Sequence, residues 1–90
     1  MRLDKFLKAS RIIKRRPVAK AVCDSGRILV NDHPAKAGKE IHEGDVLNVN
    51  LNSRILICKI LSIPVGNVRA TDASSLYEVI SEETIERDNL

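Results

Sequence analysis

Apolar residues recur at helical spacing before Gly26 and at strand spacing after it, and this change of period sets the expected fold. Leu3, Phe6 and Leu7 fall at i, i+3 and i+4, an arc of about 100° on one helix face. A first helix is therefore expected over residues 2–9, with Arg2, Lys5 and Lys8 on its other side. Asp4 stands four residues before Lys8, acid first, the order in which such a pair supports a helix. Pro17, whose fixed φ suits a first turn, predicts the start of a second helix. There Val18, Ala19, Val22 and Cys23 share a face, Lys20 and Asp24 take the opposite one, and Gly26 supplies the left-handed stop.

Beyond Gly26 the spacing predicts a strand over Ile28–Val30 and a chain reversal at Asn31, Asp32, His33 and Pro34. A second turn at Glu43–Asp45 leads into a strand over Val46–Leu51, with Leu47, Val49 and Leu51 as one alternating series. After a turn near Asn52 and Ser53, the apolar run Ile55–Leu61 predicts a well-buried strand. Past Pro64 and Gly66 the pattern weakens to a short helical turn around Thr71–Ser75, an edge strand over Leu76–Ile80, and an acidic, frayed end over residues 81–90. The expected organisation is one domain over residues 1–66 with an extension over 67–90. Its class is α+β, two N-terminal helices packed on a small, strongly curved antiparallel sheet.

Charge sharpens this picture. The net charge of +3 hides a polarity, because residues 1–27 hold nine Lys or Arg against Asp4 and Asp24. Residues 71–90 invert it, with six acids against Arg87 alone. A polyanion is expected at the N-terminal half. Lys14, Arg15 and Arg16 stand together just before the second helix, where unpaired backbone N–H groups favour a phosphate oxygen; cations there are unfavourable to the fold unless an anion offsets them.

Composition removes several alternatives. With one Phe, one Tyr and no Trp, the chain cannot build the aromatic platform on which single-strand RNA modules stack successive bases. Cys23 and Cys58 are far apart, without Cys-x-x-Cys spacing or a neighbouring His, and read as buried thiols rather than zinc ligands or a disulfide. His33 and His42 read as loop residues. No Ser-His-Asp set, paired carboxylates, metal cluster or Gly-rich phosphate loop can be assembled, so neither an enzyme nor a cofactor or metal site is expected. No 18-residue apolar run or secretory signal is present, and a cytoplasmic location is expected.

Four blocks stand in order: Arg2-Leu3-Asp4-x-x-Leu7, Arg15-Arg16-x-x-Ala19, Gly26-Arg27-Ile28-x-Val30-Asn31 and Gly44-Asp45-x-Leu47. Together they resemble the RNA-binding domain of ribosomal small-subunit protein four, the S-four domain, over about residues 1–50. The blocks also make physical sense. Leu3 and Leu7 anchor the first helix, Asp4 suits its dipole and is placed to order nearby arginines, and Ala19 lets the second helix approach closely. One departure is Asp32, where the family often has Gly.

The resemblance implies RNA contacts from Arg2, Lys5, Lys8, Arg11, Lys14, Arg15, Arg16 and Lys20. No synthase, synthetase or methyltransferase domain of the kinds often joined to this one is expected beside it. Among stand-alone members it looks most like the RqcP subfamily of bacterial ribosome-associated quality control. That likeness implies binding to the large ribosomal subunit through its rRNA and peptidyl-tRNA, assistance to RqcH in adding alanine tails to stalled chains, and a monomer when free. A heat-shock-type relative that recycles stalled free large subunits, or a general rRNA-binding assembly factor, is the alternative. A protein–protein adaptor is a third reading, suited to the acidic tail better than to the body.

Overall fold

In the computed structural model, which describes residues 1–85, two helices lie against one five-stranded antiparallel sheet in the order β2-β1-β3-β4-β5. The helices are α1 (Leu3–Ala9) and α2 (Arg16–Asp24); the strands are β1 (Ile28–Val30), β2 (His33–Pro34), β3 (Val46–Asn50), β4 (Arg54–Ile60) and β5 (Tyr77–Thr84). A 3₁₀ helix over Ala70–Leu76 joins β4 to β5. The expected α+β class is the one observed.

The core is aliphatic with one ring. Leu3, Phe6 and Leu7 of α1 are fully buried, as their spacing requires, and meet Ala19 and Cys23 of α2 and Ile28, Leu47, Val49, Cys58 and Ile60 of the sheet. On α2 the inward face is narrower than expected. Ala19 and Cys23 are buried, but Val22 is only partly so and Val18 is 48% exposed. With Ala19 as the contact the helix sits close to α1, and the positions that flank it turn outward.

The chain reversal after β1 is a two-residue loop in which Asn31 and Asp32 both have left-handed φ, 50° and 70°, so that Val30 pairs with His33. Two positive φ values define the hairpin turn whose twist matches its strands, and Asp tolerates what Gly would adopt freely. His33 and Pro34, expected in the turn, instead form β2 at a sheet edge, where a residue without an N–H is tolerated. Asn31 then ties two turns together. Its amide donates to Asp45 Oδ1 at 3.0 Å and its carbonyl oxygen accepts from the Val46 N–H at 2.9 Å.

Three expectations change. In β4 only Leu56, Cys58 and Ile60 are buried, because the strand alternates, and Leu61 is 47% exposed just beyond its end. Leu76 ends the 3₁₀ helix as a core residue rather than opening the last strand. That strand continues to Thr84, four residues into the stretch expected to fray, because it pairs with β4 from Tyr77↔Ile60 to Thr84↔Arg54. A bulge near Ile57/Cys58 interrupts the register, and Arg54 meets Glu82 at 2.7 Å near the far end. The remainder of the expected frayed end, residues 86–90, lies outside the described residues.

Residues 35–41, given no role by the periodicity, strap the sheet to α1. Ala35, Ala37 and Ile41 are buried, Leu3 N–H donates to the Lys39 carbonyl at 2.8 Å, Asp4 N–H to Ala37 at 3.2 Å, and Ile41 N–H to Met1 at 2.9 Å. This strap fixes the start of α1 and everything that α1 presents.

Candidate nucleic-acid interface

Asp4 is the pivot of the basic face. It is 2% exposed, and a carboxylate so far from water needs charged and hydrogen-bonded partners. It has three. Oδ1 accepts from Arg2 Nε at 3.1 Å and from the Lys5 backbone N–H at 2.9 Å, and Oδ2 accepts from Arg16 Nε at 3.4 Å. Both arginine side chains remain about half exposed, 52% and 48%. Each is held through Nε, and among the described residues no hydrogen bond engages its terminal NH₂ groups, which can form a fork, the geometry that grips a phosphate with two parallel donors. Arg2 also crosses Gly38, whose missing side chain leaves its guanidinium 3.9 Å from where a Cβ would stand.

The other expected cations divide into groups. Lys5, Lys8, Arg11 and Lys14 line one groove of about 340 Å³, and no acidic side chain pairs with any of them among the described residues. Lys8 does not meet Asp4 as the i+4 spacing suggested, because Asp4 turns inward to the arginines. Arg11 is held at φ 60°, in a region where a non-glycine residue is uncommon. The adjoining Ile12 and Ile13 are buried and anchor the loop between the two helices. Arg15 caps α2 without a side-chain bond of its own and is exposed.

Lys20 stands apart. Its Nζ meets Asp24 Oδ2 at 2.9 Å, and Lys20 first, then the Ala37 N–H, lowers the Asp24 pKa from its ordinary 3.8. Asp24 thereby clips α2 to the strap, with Oδ1 accepting from Ala37 N–H at 3.2 Å and its carbonyl from Lys36 Nζ at 3.1 Å. A lysine already paired in this way has less charge to offer a polyanion.

Periodicity gave no sign of Gly38 or of the role of the Gly66–Val68 segment, which also lines the groove. Ala35 and Ala37 in alternation with polar residues were the only trace of the strap. Neither cysteine enters the site. Burial pushes Cys23 and Cys58 up to about 11 from 9.0. No group of three or more His, Cys, Asp or Glu that could hold a metal occurs among the described residues. No helix among them is long and apolar enough to cross a membrane.

Two helices carrying an acid-organised pair of arginines on a small antiparallel sheet define a protein of the S4 domain class, and the S4 domain family model matches residues 1–47. A relative from Halalkalibacterium halodurans, named RQC P-site tRNA stabilizing factor, is 49% identical over 97% of this chain and 98% of its own length. One of the same name from Streptococcus pneumoniae is 43% identical over 98% and 99%. The chain belongs to the family of these factors. Among solved structures, the trimeric Heat Shock Protein 15 of Vibrio cholerae superposes with a TM-score of 0.82 at 27% identity, covering 90% of this chain and 82% of that one.

Proposed function

We propose that the protein is a non-catalytic RNA-binding factor of bacterial ribosome-associated quality control. It holds tRNA in the P site of the large ribosomal subunit by gripping RNA phosphates with Arg2 and Arg16. The observation that carries this reading is the buried Asp4 carboxylate, which holds two half-exposed arginines by Nε and leaves their outer donors open. Lys5, Lys8, Arg11, Lys14 and Arg15 extend the contact, and Lys20 contributes from its pair with Asp24. Peptidyl-tRNA and large-subunit rRNA are the ligands, alanine tailing with RqcH is the process, and the protein acts as a cytoplasmic monomer until bound. Residues 1–66 form the RNA-binding unit, and the extension from residue 67 closes the sheet.

The heat-shock-type reading shares the fold, as the superposition on Heat Shock Protein 15 supports. Co-sedimentation with separated subunits tests both. Enrichment on free large subunits that carry peptidyl-tRNA, lost when the RNA is digested by nuclease, is the expected result. Equal occupancy of empty large subunits would favour a general rRNA-binding assembly factor, and nuclease-resistant association would favour a protein adaptor.

A further inference from the structure

The groove that Lys5 and Lys8 of α1 help to line joins two chemically different sets of residues. Lys5, Lys8, Arg11 and Lys14 are one, and Ala9, Asn67 and Val68 are the other. A purely electrostatic track would need only the first. A ribonucleotide has both characters in one ligand, a phosphate for the cations and a base that presents an apolar face and a hydrogen-bonding edge. The volume of about 340 Å³ lies at the small end of ligand-sized cavities. Neither ring of the chain is available as a stacking platform, since Phe6 is fully buried and Tyr77 packs partly buried against the core. Any base held here rests on aliphatic carbon and an amide, which suits one nucleotide rather than a stacked run.

Two backbone features build the groove. Arg11 holds a left-handed φ of 60° on the α1 side and Gly66 one of 79° on the other. Strained non-glycine backbone persists only where its surroundings impose it and gathers at binding sites. At Arg11 the buried Ile12 and Ile13 impose it, and keep the loop against α1. Asn67 is exposed at the groove, and its side-chain amide offers two donors and an acceptor.

We propose that this groove holds one unstacked ribonucleotide of a bound RNA strand, its phosphate on the cations and its base between Val68 and Asn67. The C-terminal extension thus takes part in RNA recognition. The inference rests on the reading of the chain as an RNA-binding protein and goes beyond it by adding contact with a base.

Affinity for a 12-nucleotide oligouridylate, for its abasic ribose-phosphate counterpart and for free uridine monophosphate, each titrated over a range of salt, tests the proposal in the full chain. Wild type should bind the base-bearing strand on the order of tenfold more tightly than the abasic one, about the worth of one added hydrogen bond, with free nucleotide far weaker than either. Asn67→Ala should remove most of that preference while leaving the salt slope unchanged, since an amide releases no counterion. Lys8→Ala should weaken both strands alike and reduce the slope by roughly 0.7. Equal wild-type binding of the two strands, or an Asn67→Ala chain that keeps the full preference, would overturn the nucleotide site and leave a phosphate-binding face. Free nucleotide bound as tightly as the strand would overturn the assignment to RNA. A wild-type chain that binds neither strand nor ribosomal subunits would defeat the underlying RNA reading, a different result from losing the preference alone.

Discussion

Asp4 occupies a position where a carboxylate is costly, and the arrangement around it explains why one is there. Its charge is matched by Arg2 and Arg16, so the carboxylate converts two flexible side chains into a preset pair. Asp4→Asn adds one unit of positive charge to the face yet removes what orders it. RNA affinity should therefore fall, on the order of 3- to 10-fold, with helical circular dichroism retained. Equal or tighter binding in a titration at fixed salt would mean that bulk charge, not order, drives the contact.

The thiols give a second residue-scale test. Desolvation, with Coulombic contributions from Asp4 and Asp24 at Cys23, raises both folded pKa values to about 11 from 9.0. Between these values the unfolded chain has lost protons that the folded chain still holds, so stability falls as pH rises through this window, by ~2 to 3 kcal/mol per thiol, and then levels off. A Cys23→Ala/Cys58→Ala chain, less stable below pH 9 for its smaller side chains, should lose less on going towards pH 11 in urea denaturation. An equal alkaline loss in both chains would assign the drop to other groups.

At the scale of elements, the helices were legible because a three-residue apolar arc and a proline–glycine pair mark their limits. Which residues of α2 face inward was not. Val18 and Val22 are as apolar as Cys23, but the close approach permitted at Ala19 decides the rotation of the helix, and that contact is tertiary. The consequence is a graded prediction. Leu7→Ala, at a fully buried site, should cost ~2 to 4 kcal/mol through lost burial and a residual cavity. Val22→Ala, at a partly buried one, should cost about 1 kcal/mol or less. Equal shifts of the denaturation midpoint would place Val22 deeper than the fold does.

The strap over residues 35–41 was illegible for a related reason. It has no period, and its role is to hand backbone carbonyls to the first residues of α1. The last strand was legible only in part. Of its eight residues only Tyr77 is even half-buried, so no apolar alternation announces it, and pairing with β4 is what extends it to Thr84. The charged half of the candidate site could be read from the chain, because cations cluster in sequence as well as in space. Its division could not. The arginine pair, the groove and the Lys20–Asp24 clip appear only once α1, α2 and the strap are brought together.

For the molecule as a whole, cations gather before residue 28 and acids after residue 70, and on the proposed reading this polarity draws RNA to the helices. The central claim is that the helical face neutralises phosphates and that Arg16 is one of the groups that do so. The most direct measurement is a salt titration of large-subunit RNA binding for wild type, Arg16→Ala and Arg16→Lys. If four to six phosphates are engaged, the log–log slope for wild type should lie at about −3 to −5. Arg16→Ala should reduce that slope by about one and weaken binding by roughly 1 to 3 kcal/mol, with circular dichroism unchanged. Arg16→Lys should restore the slope but only part of the affinity, because lysine keeps the charge and loses the fork. A wild-type slope near zero, or an Arg16→Ala chain with the affinity and slope of wild type, would contradict the account.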